Sequence, residues 1–321
     1  MELAVDATPD TRILNGSEKS VRQKLFCPIF LSLLAALCSS AGCPAQIRKS
    51  CGDLIYLRLT AATALQGTLV QVQVSSTKAL PQDVSAEWDS KSSPIWHVEG
   101  HSKTLHGMVG VDLEKPPGRY DYKISWKDSI GQQKSCTAPL IVRAGKFPTE
   151  HLKVEKQFVQ PDPEQQKRAE DDSKKMRAIY DTITPEPLWK GPFQLPLKEV
   201  VTGGNFGRRR ILNGVARSPH AGVDFPAPTG TPVFAPQAGK VVLAEDLYYS
   251  GNTVVIDHGF GIYTLYAHLS QLTANPGDSV EAGTEIGKVG ATGRVTGPHL
   301  HWGLTIDRAR VNALQIVNRE P

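Results

Sequence analysis

The sequence lacks the features that mark nucleic-acid-binding and membrane-spanning proteins. Its 36 basic and 32 acidic side chains leave a net charge of +4, and the one compact basic run is at 208–210. Nucleic-acid-binding domains usually carry a strongly basic face, so we expect no nucleic-acid partner. The longest apolar segment, 25–37, is shorter than the roughly 20 residues of a membrane-spanning helix. A nucleotide-binding loop is missing too, because the glycine-rich residues 203–207 are not followed by Lys-Ser/Thr and a helix.

Cysteine is also scarce, with five residues in a chain of 321. Cys27 and Cys38 lie among the first 42 residues, which leaves Cys43, Cys51 and Cys136 for the rest of the chain. In an oxidising compartment Cys51 and Cys136 are expected to pair as a disulfide. Two unpaired buried thiols are the alternative.

Residues 1–42 have the three-part pattern of an N-terminal extension with a signal peptide. Basic residues precede the apolar segment, and small residues follow it at 39–42. We therefore expect an exported protein, periplasmic or extracellular and associated with the cell envelope. The signal peptide is the expected membrane contact. A lipid anchor on Cys43 is the alternative, which Ser40 disfavours because lipoprotein signals have an aliphatic residue there.

Residues 53–145 have the pattern of a β domain. Apolar and polar residues alternate strictly over 69–74, and Pro and Gly separate roughly seven short strands. We predict strands near 54–59, 69–74, 84–88, 95–98, 108–113, 120–126 and 139–142. This arrangement predicts an immunoglobulin-like β-sandwich. His97 and His101 lie here, but Gly100 argues against a zinc-binding helix, so we predict strand or turn positions for both.

Residues 146–187 form a predicted linker that contains one helix. Asp162 is a good N-cap, Pro163 suits the first turn, and Gln165 completes a capping box. The pattern predicts a helix over about 163–183, before Pro185. Few of its positions are apolar, so we expect a largely solvated connector that rests lightly on one or both domains.

Residues 188–321 form a second predicted β domain, in which glycine marks nearly every turn. We predict strands near 232–234, 239–244, 253–257, 263–268 and 286–289. Short, evenly spaced strands favour a compact β domain with a single core. The chain is thus expected to be mostly β, with an N-terminal immunoglobulin-like β-sandwich, a helical connector and a C-terminal glycine-rich β domain.

Histidine and aspartate in the C-terminal region have the spacing of a metal site. His299 and His301 are two residues apart, so a strand places both imidazoles on one face. His220 and Asp224 are four apart in a non-helical segment, and a straight strand would separate them by about 13 Å. The chain must bend there, and Gly222 is the residue that bends at least cost. Two imidazoles and one carboxylate leave a position open on zinc, as catalytic sites do.

These residues, together with His268 between them, resemble the lysostaphin/LytM-type zinc endopeptidases, which cut peptidoglycan peptides. The similarity covers about 206–302 and includes segments 252–259 and 292–301. The resemblance implies that the C-terminal domain is a glycine-rich antiparallel β peptidase domain. By this resemblance the Zn²⁺ ligands are His220, Asp224 and His301. The resemblance also implies that His268 and His299 are unligated catalytic residues, and it leaves open which of them is the base.

The resemblance implies a zinc metalloendopeptidase that hydrolyses peptide cross-links or bridges of bacterial peptidoglycan through a zinc-activated water. The expected partner is a peptidoglycan peptide, and both Gly–Gly bridges and the D-alanyl to diaminopimelate cross-link stay open. One alternative is a non-catalytic cell-wall-binding activator of another wall hydrolase, and another is a secreted protease of glycine-rich proteins. A carrier domain, suggested by the turns at Lys240 and Lys288, has no use for five metal-site side chains. The sequence leaves the oligomeric state open.

Three further features lie near these residues in the sequence. His258 follows a predicted strand and is expected to be a structural turn residue, or otherwise a partner of a metal ligand. Tyr248 and Tyr249 are expected to pack in the core or at the rim of the cleft. The arginine run at 208–210 is expected to be solvated, or alternatively to contact carboxylates of the wall peptide.

Overall fold

Among the described residues, β-strands make up most of the regular secondary structure, as predicted. The structure is a computed structural model that describes residues 45–319, apart from 82, 98–99, 154–159 and 200–202. The predicted extension and signal peptide at 1–42 lie outside the described residues. Within the described ranges, no helix combines the length and the apolar character needed to cross a membrane.

Two five-stranded sheets form the N-terminal part of the described chain. Their strands are β1 Ile47–Ser50, β2 Ile55–Leu59, β3 Thr63–Leu65, β4 Leu69–Ser76, β5 Ser85–Trp88, β6 Lys91–Ser92, β7 Ile95–His97, β8 Thr104–Gly110, β9 Gly118–Lys127 and β10 Gln133–Arg143. The strand order is β1-β2-β4-β8-β7 in the first sheet and β3-β10-β9-β5-β6 in the second. The seven predicted strands are present, and β1, β3 and β6 are additional short strands of two to four residues.

One buried cluster joins these two sheets. Leu57 and Val72 of the first sheet and Ile124 and Leu140 of the second belong to it. Alternating burial along β2, β4, β9 and β10 explains why each strand gives every second side chain to this core. The immunoglobulin-like assignment of the two sheets stays a prediction.

The predicted disulfide is present between Cys51 and Cys136, with the two Cα atoms 5.4 Å apart. Cys51 follows β1 in the first sheet, and Cys136 lies in β10 of the second. The bond therefore ties the two sheets together. The alternative of two unpaired thiols is wrong.

The predicted linker helix is α1 Pro163–Asp181. Asp162 and Gln165 form the expected capping box. The few apolar positions of the helix, such as Met176 and Ile179, pack on strand residues of the C-terminal sheet. An ion pair of 2.7 Å joins Arg168 to Asp246 on the same sheet. The helix therefore rests on the C-terminal sheet along one sparse apolar stripe.

The C-terminal part contains a small sheet and a large one. Their strands are β11 Thr149–Leu152, β12 Arg209–Leu212, β13 Val215–Arg217, β14 Gly222–Pro226, β15 Pro232–Phe234, β16 Gly239–Leu247, β17 Gly251–Asp257, β18 Ile262–Leu272, β19 Ser279–Val280, β20 Glu285–Val289, β21 His299–Ile306 and β22 Ala309–Val311, followed by a 3-10 helix at Ala313–Gln315. The large sheet has the order β14-β21-β18-β17-β16-β19, with β15, β20 and β22 paired beside it. The small sheet has the order β11-β12-β13, so a strand from the predicted linker pairs with the arginine run.

The N-terminal and C-terminal parts share a core. Leu69 and Trp96 belong to the same buried cluster as Leu304 and Ile306. Residues 44–321 accordingly form one compact unit. The division into domains at 53–145 and 188–321 stays a prediction.

Candidate metal centre

Three neighbouring strands carry most of the predicted site residues. β21 lies between β14 and β18 in the sheet. Asp224 of β14 is directly opposite His301 of β21, and His299 lies two residues before His301 on the same strand. His268 follows Ala267, which is directly opposite His301 from the β18 side. The pairing register therefore brings together residues that are up to 77 positions apart in sequence.

His220 lies just before β14 and is held by the loop at 204–208. Its backbone N–H donates to the Arg208 carbonyl over 2.9 Å, and its carbonyl accepts from the Gly207 N–H over 2.8 Å. Gly204 exchanges two backbone hydrogen bonds with Asp224, of 3.1 and 2.9 Å. Sequence reasoning missed this support, because backbone contacts depend on the fold and leave no side-chain signal.

The donor atoms of three predicted ligands converge on one point. His220 Nε2 and His301 Nδ1 each lie 3.0 Å from Asp224 Oδ1, and they lie 2.8 Å from each other. A carbonyl only accepts, so His220 Nδ1–H donates to the Asn205 carbonyl 2.9 Å away, which leaves a lone pair on Nε2. Two ring nitrogens and a carboxylate oxygen this close repel one another unless a proton or a cation lies between them.

This donor set fits a divalent metal ion. Among the described residues, the group with metal-binding geometry consists of His220, Asp224 and His301. A tetrahedral ion with ligands at about 2.0–2.2 Å holds those ligand atoms about 3.3–3.6 Å apart, so the three donor atoms would need to separate by roughly half an ångström to hold it. His299 Nε2 is farther out, at 3.7 Å from Asp224 Oδ1. Three protein ligands leave a coordination position open, which is the arrangement of a catalytic metal site.

The protonation states of these ligands suit a cation. Burial opposes ionisation of Asp224, but hydrogen bonds with His220 and His301 outweigh it and hold the pKa of Asp224 well below its usual range. Burial lowers the pKa of His301 to about 4. At neutral pH the centre therefore presents a carboxylate and a neutral imidazole, which are the forms that bind metal.

His268 and His299 lie beside the three donor atoms, and neither side chain belongs to the group with metal-binding geometry. His268 Nδ1–H donates to the Thr292 carbonyl and His299 Nδ1–H to the Gly297 carbonyl, each over 2.9 Å. Their rings are 4.9 Å apart. Burial, followed by the neighbouring histidines, lowers the pKa of His268 to about 3. Both rings thus hold a free Nε2 lone pair beside the cleft.

The backbone of His268 is unusual, with φ at +65° in the middle of β18. The register of β18 shifts on both sides of this position, against β17 and against β20. Such a bulge redirects a side chain that regular alternation would place elsewhere. A non-glycine residue in the left-handed region costs roughly 1–2 kcal/mol, which is a strain often found at active sites.

The reason for glycine at position 222 differs from our expectation. Gly222 is the first residue of β14 and its φ is not positive, so the position does not need the left-handed freedom of glycine. The constraint is steric, since a Cβ there would lie 2.5 Å from Nε2 of His301 and 2.8 Å from the carbonyl oxygen of Trp302. Gly222 therefore leaves room for the His301 ring.

The remaining histidine predictions are settled by the structure. His97 lies in β7 and His101 follows the turn at Gly100, as predicted. His258 is fully buried, and its Nδ1 and Nε2 lie 2.7 Å from the Ala238 carbonyl and the Thr264 hydroxyl. It is therefore a structural core residue and not a partner of a metal ligand.

A β-sheet that presents two histidines and a carboxylate, with two free histidines beside them, defines a metallohydrolase type of centre. Residues 218–313 match the model of peptidase family M23. Members of the family are metallopeptidases. All five predicted site residues lie inside the matched range.

Two curated relatives and one solved structure illustrate the similarity. Peptidoglycan DD-endopeptidase ShyA of Vibrio cholerae serotype O1 is 46% identical over 112 residues, which are 35% of this chain and 26% of ShyA. DD-carboxypeptidase/endopeptidase Mpg of Neisseria meningitidis serogroup B is 43% identical over 102 residues, 32% of this chain and 24% of Mpg. The chain thus spans about a quarter of the length of these relatives. The crystal structure of a putative peptidase M23 from Pseudomonas aeruginosa is 29% identical, with a TM-score of 0.56, and the match covers 79% of this chain and 96% of that one.

Proposed function

We propose that the protein is a zinc-dependent metalloendopeptidase that hydrolyses peptide cross-links or bridges of bacterial peptidoglycan. The observation that carries the proposal is the convergence of His220 Nε2, Asp224 Oδ1 and His301 Nδ1 to within 3.0 Å of one another. Two nitrogens, one oxygen and an open position are a donor set that suits catalytic zinc. A zinc ion held there supplies Lewis-acid chemistry, polarising the scissile carbonyl and making a water molecule more acidic.

In this proposal His268 and His299 carry out the proton transfers. His299 Nε2 lies 3.7 Å from a ligand atom of Asp224, so it is placed to accept the proton of the attacking water. His268 offers a second Nε2 lone pair at the cleft, so in this proposal it takes up a proton during the reaction and passes it to the leaving amine. The water oxygen ends on the carbonyl carbon and its proton on the amine, as the C–N bond breaks.

The relatives favour one type of bond. ShyA and Mpg are both named as DD-peptidases, which act between D-configured centres. For this chain we therefore favour the D-alanyl to diaminopimelate cross-link over a Gly–Gly bridge. Such a substrate places the protein in the cell envelope, periplasmic or extracellular, in agreement with the predicted signal peptide.

The test is digestion of purified peptidoglycan by the purified full chain, followed by mass spectrometry of the released muropeptides. We expect cross-linked dimers to give monomers with the gain of one water for each bond cleaved. A chelator should abolish the reaction and added zinc should restore it. The control is Asp224→Asn, which should keep the fold by circular dichroism but lose both zinc and activity.

Two results would contradict the proposal. Zinc-loaded protein that is folded but releases no muropeptide would show that this is no wall hydrolase. If that protein also bound peptidoglycan and stimulated another hydrolase, the non-catalytic activator would be the correct function.

A further inference from the structure

Arginine side chains gather at the cleft beside the metal centre. Arg210 and Arg294 line the same cleft as Asp224, His268 and His299. Arg210 comes from β12, whereas Arg294 comes from the segment before β21. The fold therefore adds two guanidinium groups to the five site residues.

Arg294 is held in place without an acidic partner. Its guanidinium lies 4.5 Å from the ring centroid of Tyr249, and its backbone N–H donates to the Tyr249 carbonyl over 2.8 Å. Among the described residues, no carboxylate forms an ion pair with Arg294. A guanidinium stacked on an aromatic ring keeps its in-plane N–H groups for an anion, because the ring occupies only its face.

The positive charge of Arg210 is only weakly balanced by a nearby negative charge. Its Nη2 lies 3.6 Å from Asp224 Oδ2, and its buried Nε has no hydrogen-bond partner among the described residues. Asp224 Oδ1 belongs to the metal centre, so the negative charge of Asp224 is shared. Burial lowers the pKa of Arg294, and the neighbouring charge of Arg210 lowers it further.

Glu150, the other acidic residue at this cleft, does not neutralise the charge of Arg210 or Arg294. Glu150 of β11 lines the cleft, but it lies 3.4 Å from Arg208 and pairs with that residue. Buried or half-buried cations without counterions are costly, and a ligand carboxylate would relieve that cost.

We propose that Arg294, assisted by Arg210, forms a carboxylate-binding subsite that selects substrates with a free carboxylate beside the scissile amide. This inference rests on the proposed function, since it names the substrate of the same site. The planar fork of arginine binds a carboxylate through two parallel hydrogen bonds. In a D-alanyl to diaminopimelate cross-link, the carbon attached to the scissile nitrogen carries such a carboxylate. Arg294 is thus a specificity residue, and the metal centre and the two free histidines remain the catalytic groups.

The test uses two synthetic peptides with the same D-alanyl amide bond. They differ only in a carboxylate or a primary carboxamide on the carbon attached to the scissile nitrogen. We expect zinc-loaded wild type to cleave the acid with a kcat/KM at least about tenfold higher, the effect of one charge-assisted hydrogen bond. In Arg294→Gln the KM for the acid should rise about tenfold or more, while kcat and the KM for the carboxamide should stay nearly unchanged.

Arg209→Gln is the matched control, because Arg209 is an exposed arginine next to Arg210 on the same strand. It removes one positive charge from the same run and should retain the preference for the acid. Equal losses on both peptides in Arg294→Gln, or a wild type that cleaves both peptides equally well, would overturn the inference.

A binding measurement separates failure of this inference from failure of the proposed function. Calorimetry of both peptides on zinc-loaded His268→Ala needs no cleavage. If this protein binds the acid more tightly than the carboxamide, and adding Arg294→Gln removes that difference, the subsite is supported. This result would hold even if wild type cleaved neither peptide and the proposed function were wrong. Equal affinities for the two peptides would refute the subsite.

Discussion

At the scale of single residues, three backbone carbonyls set the chemistry of three histidines. The carbonyls of Asn205, Thr292 and Gly297 accept from Nδ1–H of His220, His268 and His299, respectively. Each hydrogen bond fixes the neutral tautomer with a lone pair on Nε2. The fold thus decides which ring nitrogen can bind a metal or accept a proton.

The strained backbone at His268 leads to a first prediction. His268→Ala and His268→Gly should both lower turnover at least about 100-fold, because both remove a group that we place in proton transfer. Zinc content should stay near one per chain. His268→Gly should be about 1 kcal/mol more stable than His268→Ala, since glycine adopts φ near +65° without strain. The measurements are kinetics, metal analysis and denaturant unfolding.

Either of two results would count against this view of His268. Loss of zinc from the alanine variant would place His268 among the ligands. Equal stability of the two variants would limit the backbone strain to the roughly 0.5–1 kcal/mol by which glycine favours the unfolded chain.

The buried His258 predicts a pH dependence of stability. Burial lowers its pKa from 6.5 to about 4 in the folded protein, and an unfolded chain restores the ordinary value. Because the unfolded state binds the proton more tightly, the stability contribution of neutral His258 is complete above about pH 6.5 and falls towards pH 4. The slope is at most about 1.4 kcal/mol per pH unit.

His258→Gln isolates this contribution, because it cannot titrate. On metal-free protein we expect the variant to be less stable at pH 7, since it disturbs two buried hydrogen bonds. The difference in unfolding free energy between wild type and His258→Gln should become smaller by about 2–3 kcal/mol between pH 7 and pH 4. A gap that is constant or widens on acidification would show that His258 is not held neutral.

At the scale of elements, the pairing of β14 with β21 builds the metal centre. Asp224 is directly opposite His301, and Gly222 is directly opposite Gly303. A slip of one residue would send Asp224 to the other face of the sheet. Close packing on both sides of this strand pair therefore protects the ligand geometry.

The two opposing glycines give a matched pair of variants. Gly222→Ala should lower zinc affinity at least about tenfold, because the new Cβ would lie 2.5 Å from His301 Nε2 and displace that ring. Changes to residues that orient a metal ligand typically have effects of this size. Gly303→Ala should keep zinc affinity, since its nearest new contact is 3.4 Å from a flexible leucine side chain. Competition with a zinc chelator measures both. Equal affinities would mean that the His301 ring moves aside freely.

At the scale of the whole molecule, long-range ties hold the two β parts together. Arg310 of β22 binds Asp112 after β8 through two hydrogen bonds, of 2.7 and 3.0 Å. Trp96 of β7 stacks on Phe260 with the ring centroids 5.1 Å apart. The N-terminal sheets therefore stabilise the large sheet that carries the metal centre.

Removal of the disulfide should lower the stability of the protein without changing its activity. Replacing both Cys51 and Cys136 by alanine should lower the free energy of unfolding by about 2–4 kcal/mol, because the bond closes a long loop in the unfolded chain. Zinc content and cleavage at 25 °C should not change, since neither cysteine contacts the site. A reducing agent should destabilise wild type and leave the double variant unaffected. Equal destabilisation of both proteins would contradict a structural disulfide.

Local sequence patterns determined much of the architecture. Strict alternation located β4, the Asp162–Gln165 pair located the start of α1, and the two-residue spacing placed His299 and His301 on one strand. These features depend on interactions among near neighbours, so they can be predicted without knowing the fold. The resemblance to zinc endopeptidases added the five candidate site residues.

Tertiary structure alone decided the rest. The register of β14 against β21, the bulge at His268 and the meeting of Arg210 with Arg294 all join segments that are far apart in sequence or depend on such pairing. Their energies come from non-local contacts, which no short window of sequence contains. The sequence by itself determined which groups are available, and the packed sheets decided which of them meet.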